Sequence, residues 1–309
     1  MRFIFVGGCS RSGTTLMQKI LITHSKIAGG TEFDHAENIM HLYKSMAQTQ
    51  RSRHQLFYTQ DELSGIFRDF YRSLFFKLSQ TKNDAVFLSE KSPRNIFVAQ
   101  TLLKLFPDSI YINLIRDGRD VVVSHIDVNR RKDRLDKLKY PEYTLSRTCS
   151  LWNQSIEQFL AISKNTEIQD RVFNVKYEEL TTNPEGVIPS VFQKIGLEME
   201  ERVLYSEKVI NEKTGFTVDN LWYTNENAND SINSTRIGRW KKDMGPFSRF
   251  FCEILVAHNL KLSGYPVKNS SILMQKIWLC FRNVVLKTFT FICKIRPSVI
   301  TYRIRKLLG

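Results

Sequence analysis

A glycine-rich turn near the amino terminus has the residue types that bind an anion. Residues 7–15 read GGCSRSGTT and lie between an apolar run at 3–6 and a segment, 12–24, with apolar residues at helical spacing. Such a strand–turn–helix arrangement points the backbone N–H groups of the first helical turn toward a bound anion, and the helix dipole adds positive potential. Gly8 and Gly13 let the backbone approach the ligand closely. The segment therefore predicts an anion-binding loop.

The same loop differs from a nucleotide P-loop at one position. Gly8 and Gly13 keep the G-x4-G spacing, but Thr14 follows where a P-loop has the lysine that reaches the β- and γ-phosphates. The cation of this loop is Arg11 instead. Its forked guanidinium group suits a planar or trigonal oxyanion and does not need magnesium to help neutralise the charge of that anion. A tight turn without a ligand is one alternative. A nucleotide kinase or NTPase on the same fold is another, but no apolar strand ends in an Asp placed for magnesium.

A second segment that could bind an anion is RDGRDVVVS, residues 116–124, which follows an apolar run at 110–115. If that run is a strand, Arg116 leaves the sheet at its carboxyl end, where open α/β sheets bind ligands. Ser124 lies about two helical turns further on, so it reaches the same anion only if the turn folds the strand end back over the helix. By itself the segment is better explained as an ordinary helix N-cap.

Both segments need a sheet to position them, and the chain alternates apolar runs with helical patterns. The runs that we predict as buried strands are 3–6, 85–88, 110–115 and 172–175. The helical patterns are at 12–24, 37–48, 61–80, 95–106, 117–130, 143–163, 185–195 and 248–262. This alternation predicts an α/β fold, a P-loop NTPase-like parallel sheet flanked by helices. Two polar stretches, 130–140 and 224–234, are either substrate lids or plain solvated loops.

Composition places the chain among ordinary globular proteins with an excess of positive charge. Its 309 residues are 42% hydrophobic and 25% charged, which excludes disordered and disulfide-scaffold classes, and the formal net charge is +14. An excess of that size indicates an anionic partner. Nine of the cations lie in 268–309, which has no Asp or Glu, so we predict a domain at 1–267 and a basic apolar tail at 268–309.

The cysteines, the histidines and the amino terminus bear on cofactor and compartment. The 5 cysteines contain no CxxC pair and the 6 histidines do not cluster, so no metal site is predicted. Met1-Arg2 leads directly into the first apolar run, which is too short for a signal peptide or a membrane anchor. Together with the odd number of cysteines, this favours a reducing, cytoplasmic location.

The pairing of SRSGTT with IRDGRDVVVS resembles the sulfotransferase superfamily, whose donor is 3′-phosphoadenosine 5′-phosphosulfate (PAPS). The chain is most similar to the tyrosylprotein sulfotransferase branch, collinearly from about residue 3 to residue 266. Supporting segments in the same order are GTE at 30–32, EKSP at 90–93, LFP at 105–107, LWN at 151–153, KYEEL at 176–180, GRWK at 238–241 and GYP at 264–266. Several short motifs in the right order are more specific than any one of them.

The resemblance implies how the donor is bound. It assigns the 3′-phosphate to Arg116 and Ser124, and part of the nucleotide contact to Tyr177. It assigns the 5′-phosphosulfate to the anion-binding loop, through Arg11, Ser12, Gly13, Thr14 and Thr15. A late loop that closes on the nucleotide corresponds to 236–241, with Arg236, Gly238, Trp240 and Lys241 as the implied contacts. No metal is implied.

The resemblance also implies a catalytic set of Arg11, Lys91 and Glu32. Lys91 matches the family's lysine that stabilises the bridging oxygen of the donor, and Glu32 matches the carboxylate that removes the acceptor proton. Sulfuryl transfer resembles phosphoryl transfer, an in-line displacement aided by positioning and by positive charge near the leaving oxygen. Glu90, next to Lys91, is a competing base, although neighbours on a strand face opposite ways.

The acceptor is where the chain departs from the branch that it resembles. Tyrosylprotein sulfotransferases carry two arginines after the catalytic Glu that hold acidic peptides, and here those positions are Asp34 and Asn38. An acidic peptide would meet Asp34 and Glu37 unfavourably, which puts tyrosine sulfation in doubt. We expect a hydroxylated acceptor, with glycan, small molecule and protein tyrosine all open. The sequence gives no oligomeric state.

The tail at 268–309 has the pattern of a helix that lies on a membrane surface. Polar residues recur along one helical face: Lys276, Asn283, Lys287, Thr290 and Lys294. Apolar residues, several of them aromatic, cover the rest, and the charges leave no run long enough to cross a bilayer. We predict peripheral membrane contact, with a helix packed on the domain as the alternative and no nucleic-acid site. A non-catalytic, membrane-associated anion-binding protein is therefore a further function that fits the sequence.

Overall fold

A five-stranded parallel sheet forms the centre of the protein in the computed structural model, which describes residues 1–48, 56–134, 144–204, 232–268 and 270–277. The sheet order is β2-β3-β1-β4-β5, and every neighbouring pair is parallel. The strands are β1 (Arg2–Gly8), β2 (Ile27–Glu32), β3 (Phe87–Lys91), β4 (Ile110–Ile115) and β5 (Val172–Lys176). Since all five run the same way, their carboxyl ends share one edge, which is where a ligand site of this fold class lies.

Helices cover both faces of the sheet. They are α1 (Thr14–Thr23), α2 (Ala36–Gln48), α3 (Gln60–Leu74), α4 (Phe76–Ser79), α5 (Ala99–Leu105), α6 (Gly118–Arg134), α7 (Leu145–Ser163), α8 (Tyr177–Thr182), α9 (Pro184–Ile195), α10 (Trp240–Asp243) and α11 (Pro246–Leu262). Short 3₁₀ turns lie at Pro93–Phe97, Gln169–Arg171 and 201–204, and 270–277 is helical. The predicted α/β architecture is therefore confirmed.

Strand β1 shows why a continuous apolar run predicts a buried strand. Phe3 and Phe5 point to one face, where they pack with Tyr71 of α3. Ile4 and Val6 point to the other face and pack with the residues of α1 and α9. Because both faces are covered by helices, every position of the run is apolar.

The sequence prediction of the strands was wrong at two places that matter for the site. Strand β2 was missed, because only Ile27 and Ala28 in it are bulky or methyl-bearing apolar residues and two glycines follow. Gly29 must be glycine here, since a Cβ would lie 2.7 Å from the backbone oxygen of Ser89. Strand β3 was predicted at 85–88 but continues to Lys91 with polar residues that are buried. The apolar residues of β3 end at Leu88, so a prediction from hydrophobicity ends the strand too early.

The helix predictions needed smaller corrections. The pattern at 61–80 is two helices, because α3 ends at Leu74 and the backbone turns at Phe75 before α4. The pattern at 95–106 begins as the 3₁₀ turn Pro93–Phe97 and becomes α-helical only at Ala99. The short helix α8, which carries Tyr177 at its start, was not predicted.

The start of the predicted tail packs on the domain. Gln275 accepts a hydrogen bond from the backbone N–H of His258 at 2.7 Å and donates one to the carbonyl oxygen of Leu255 at 2.8 Å, both on α11. Residues 278–309 and most of the two candidate lid loops lie outside the described residues, so the domain limits stay a prediction. Among the residues that the structure describes, no helix is long and apolar enough to cross a membrane.

Candidate anion-binding and active site

The predicted anion-binding loop, residues 7–15, joins β1 to α1 in a conformation that its sequence makes possible. Gly8 and Gly13 both have positive φ, 140° and 97°. A Cβ at Gly8 would lie 2.3 Å from the carbonyl oxygen of Leu114, and one at Gly13 would lie 2.6 Å from the ring of Tyr177. Arg11 also has positive φ, 73°, which costs energy for a residue with a Cβ. The surrounding contacts must hold Arg11 in place.

Two side-chain hydrogen bonds connect the loop to helix α6. The Nε of Arg11 donates to Oγ of Ser124 at 3.1 Å. One residue earlier, Ser10 Oγ lies 2.8 Å from Nε2 of His125, while Nδ1 of that buried ring donates to the carbonyl oxygen of Val121 at 3.0 Å. Since Nδ1 carries the proton, Nε2 accepts from the Ser10 hydroxyl. These two hydrogen bonds hold Ser124 beside the loop. Such proximity is needed if Ser124 and Arg116 are to contact the same anion.

Arg116 lies at the point where the loop, Tyr177 and the late segment meet. Its side chain is buried, and Nη1 donates to the carbonyl oxygen of Arg11 at 3.0 Å. Nη2 donates to the carbonyl oxygen of Arg236 at 2.6 Å, and the guanidinium carbon lies 4.4 Å from the centre of the Tyr177 ring. Three segments far apart in sequence are thus gathered around one fixed cation.

The start of α1 and the buried donors beside it fit an anionic ligand. Gly13, the N-cap of α1, has no side chain to cap the helix, and the amino-terminal end of a helix carries positive potential that favours an anion. Oγ of Ser12 and Nε of Arg116 are buried and have no hydrogen-bond partner among the described residues. An unpaired buried donor costs about 1–3 kcal/mol of stability, and a bound oxyanion that accepts its hydrogen bond would remove that cost.

The late loop is held by a residue that the sequence analysis did not single out. Asp120, the second aspartate of RDGRD, accepts from the backbone N–H of Gly238 at 2.7 Å and of Trp240 at 2.9 Å. Arg119 places its guanidinium carbon 4.0 Å from the centre of the Trp240 ring. Lys241 is exposed, with its Nζ 5.8 Å from the same ring. The segment 236–240 therefore lies beside Arg116, and Lys241 stays at the rim.

We expect Asp120→Ala to weaken nucleotide binding by about tenfold, because it removes two hydrogen bonds to a charged acceptor that fix the late loop. Titration calorimetry with 3′-phosphoadenosine 5′-phosphate measures the loss. Asp243→Ala is the matched control, since that carboxylate is on the same segment but pairs with Arg239 at the surface. Equal losses in both variants would contradict the assignment of Asp120.

The two residues implied as catalytic meet at the carboxyl edge of the sheet. Glu32 ends β2 and is the register partner of Lys91, which ends β3. Nζ of Lys91 donates to Oε2 of Glu32 at 2.5 Å, and Lys91 is only 1% exposed. Burial raises the pKa of the Glu32 carboxyl, and the charge of Lys91 acts against that rise. The pair combines a buried cation with a carboxyl that is partly open to solvent.

Glu90, the competing base, faces the other side of the strand. Its carboxyl accepts from Ser92 Oγ at 2.7 Å and from Asn95 Nδ2 at 2.6 Å, and it is 2% exposed. Burial raises its pKa to about 7. Ser92 Oγ also accepts from the backbone N–H of Asp34 at 3.1 Å, so Glu90 supports the turn that follows Glu32. The structure gives Glu90 protein partners on both carboxylate oxygens.

The acceptor side of Glu32 carries a mixed set of charges. Asp34, with φ of 62°, begins the turn into α2. Glu37 is paired with the guanidinium of Arg94, which is exposed. The ion pair with Arg94 offsets part of the negative charge that Glu37 presents to an acceptor. Asp34 and Asn38 remain where the resembled branch has arginines.

Among the described residues there is no group of three or more His, Cys, Asp or Glu side chains placed to hold a metal ion.

The buried thiols of Cys149 and Cys252 lie 3.8 Å apart in the core between α7 and α11. Burial raises the pKa of Cys9, in the anion-binding loop, to about 12, so this thiol is not a nucleophile at neutral pH.

Comparison with known proteins places these features in a family context. The profile described as "Sulfotransferase family" matches residues 4–201. Protein-tyrosine sulfotransferase 2 of Gallus gallus is 25% identical over 253 residues, which cover 78% of this chain and 63% of that protein. Protein-tyrosine sulfotransferase 1 of Danio rerio is 26% identical over 244 residues, with 78% and 66% covered. The chain thus spans less than two thirds of the length of these relatives.

Solved structures share the fold at low sequence identity. The sulfotransferase domain from the curacin biosynthetic pathway superposes with a TM-score of 0.57 at 16% identity, covering 86% of this chain and 98% of that one. Mouse sulfotransferase SULT7A1 complexed with PAP superposes with a TM-score of 0.51 at 11% identity, and the match covers 89% of this chain and 88% of that one.

Proposed function

Because the chain belongs to the sulfotransferase family, whose profile matches residues 4–201, we propose that it transfers a sulfuryl group from PAPS to a hydroxyl acceptor. The observation that carries the proposal is that buried donors from two motifs lie at one ligand site. Ser12 Oγ and Arg116 Nε, without partners among the described residues, lie with the uncapped start of α1 where two separate motifs meet. A nucleotide with anionic groups at both its 3′ and its 5′ position matches two such motifs.

The donor is held by residues that the structure brings together. The anion-binding loop and its N–H groups take the 5′-phosphosulfate, with Arg11, Ser12, Gly13, Thr14 and Thr15 as the contacts. Arg116 and Ser124 take the 3′-phosphate, and Tyr177, stacked with Arg116, lies beside the nucleotide. Arg236, Gly238 and Trp240 cover the nucleotide from the late loop, and Lys241 lies at the rim of the site.

Glu32 and Lys91 perform the transfer. Glu32 takes the proton from the acceptor hydroxyl as the acceptor oxygen bonds to sulfur and the sulfur–oxygen bond to the 5′-phosphate breaks. Lys91, with Arg11, places positive charge near the leaving oxygen, where negative charge develops. PAPS supplies the activated sulfuryl group. A raised pKa makes the Glu32 carboxylate a stronger base than an ordinary glutamate.

The acceptor is a hydroxyl compound without clustered negative charge. The curated relatives are named protein-tyrosine sulfotransferases, but Asp34 and Asn38 give an acidic tyrosine peptide no cationic partner at the two positions that matter in the resembled branch. Glycans, small alcohols and phenols, and neutral tyrosine peptides form the set to screen with radiolabelled donor.

We expect 3′-phosphoadenosine 5′-phosphate to bind with micromolar or better affinity in EDTA. The site supplies its positive charge through Arg11 and Arg116, so magnesium is not required. Titration calorimetry with and without magnesium makes the measurement, and ATP serves as the control nucleotide. Tight ATP binding that needs magnesium, with no gain from a 3′-phosphate, would favour the nucleotide kinase or NTPase and contradict the proposal.

Peripheral contact with the cytoplasmic face of a membrane completes the proposal. It is supported by the sequence of 268–309, nine cations without an acid among many apolar residues. Residues 278–309 of that segment lie outside the described residues.

A further inference from the structure

A groove of about 700 Å³ with almost entirely apolar walls lies between α11, the start of α7 and the helical segment 270–277. We call this the α11 groove. Its main apolar lining residues are Leu145, Phe250, Phe251, Leu255, Met274 and Ile277. Phe247, beside it, is 76% exposed, and its ring centre lies 4.6 Å from that of Phe251. Three phenylalanines therefore form one exposed aromatic rim.

The three phenylalanines of the rim are not part of the hydrophobic cluster that packs α11 on the domain. The opposite side of the helix carries Cys252, Val256 and Leu260, which are fully buried against α7. Phe250 is 46% exposed and Ile277 is 61% exposed, so the rim and the groove continue as one apolar surface. Contiguous apolar surface of this kind marks a place of interaction with a partner.

The charged residues of α11 and of the segment that follows it are mainly cations. From Met244 to Ile277 the sequence has one acid, Glu253, whose carboxylate pairs with Arg119 at 3.2 Å. The same stretch has four cations, Arg249, Lys261, Lys268 and Lys276. A partner must therefore combine an apolar phase with negative charge, and an anionic phospholipid surface has both.

We propose that the α11 groove and its aromatic rim dock on an anionic phospholipid bilayer, with the phenylalanines at the acyl boundary and the flanking cations at the phosphates. The inference rests on the peripheral membrane contact proposed above and names the described surface that makes it. A second copy of this chain is a poor occupant, since two such cationic faces repel each other. The tail at 278–309 also lacks the acids that would neutralise the face.

The test uses the full chain and vesicles of two compositions, phosphatidylcholine alone and phosphatidylcholine with phosphatidylserine. We expect the protein to float with the anionic vesicles, and the double variant Phe247→Ser/Phe250→Ser to bind them at least about tenfold more weakly, because two exposed rings lose their contact with lipid. The matched control is Phe70→Ser/Phe76→Ser, two phenylalanines 47% and 64% exposed on α3 and α4, which should float like the wild type. Binding of 3′-phosphoadenosine 5′-phosphate by each variant confirms that it is folded.

Each other outcome identifies what fails. If Phe247→Ser/Phe250→Ser floats normally while Arg303→Glu/Arg305→Glu/Lys306→Glu does not, the tail alone binds lipid and the groove inference is wrong. If the wild type floats with neither vesicle, the membrane contact itself is wrong. A dimer in sedimentation equilibrium that the phenylalanine variant abolishes would make the groove an interface between copies. Sulfuryl transfer to a water-soluble acceptor is independent of all three results.

Discussion

Replacement of Glu32 by Gln, or of Lys91 by Ala, is expected to lower the turnover number by on the order of 10²-fold or more, with nucleotide affinity nearly unchanged. Gln cannot take the acceptor proton, and Ala at position 91 leaves the leaving oxygen without its nearby positive charge. Both side chains lie at the edge of β2 and β3, away from the contacts that gather Arg116 and the late loop. Single-turnover sulfuryl transfer, compared with calorimetric nucleotide binding, separates the two effects.

The residual activity of Lys91→Ala gives a second readout. Burial raises the pKa of Glu32 and the Lys91 charge lowers it, so removing Lys91 raises that pKa further. Since the base must be ionised, the acid limb of the pH–rate profile should move to higher pH in this variant. A limb that stays in place would mean that another group is the base.

Glu90→Gln is the control for the base assignment. Gln keeps the shape of Glu90 and can still accept from Ser92, so the turn that follows Glu32 is retained and the variant should keep most of its activity. An inactive Glu90→Gln together with an active Glu32→Gln would reverse the assignment.

The anion-binding loop was predictable from local sequence, because its geometry is fixed by residue types within a few positions. Positive φ at Gly8 and Gly13 and the close approach of Leu114 and Tyr177 follow from missing Cβ atoms. The strand before it was predictable for a related reason, since helices on both faces demand an unbroken apolar run. These features need no knowledge of the rest of the chain.

Glu32 and Asp120 show what local sequence does not contain. Glu32 is positioned by pairing of β2 with β3, and β2 has too little apolar character to be recognised as a strand. Asp120 acts on backbone groups 118 and 120 residues later in the chain, which no spacing rule connects. Glu32 was found only through resemblance to a family, and Asp120 required the tertiary structure. The positions of Glu32 and Asp120 in the site are therefore determined by contacts between distant segments of the chain more than by residue type.

The other large effect is expected at Arg116. Its two Nη groups hold the carbonyl oxygens of Arg11 and Arg236, and its Nε is left for the ligand. Arg116→Ala should therefore weaken binding of 3′-phosphoadenosine 5′-phosphate by about ten- to a hundredfold, since each charge-assisted hydrogen bond contributes about 1.5–3 kcal/mol. Arg116→Lys, which keeps the charge without the fork, should lose less.

Adenosine 5′-phosphate, which lacks the 3′-phosphate, distinguishes a ligand contact from a structural one. If Arg116 contacts the 3′-phosphate directly, the wild type should prefer the bisphosphate strongly, and Arg116→Ala should lose most of that preference because the bisphosphate loses more affinity than the monophosphate. If Arg116 acts only by holding Arg11 and Arg236 in place, both nucleotides should lose affinity by the same factor. The difference between the two losses measures the direct contact, because the damage to the loop is common to both and cancels.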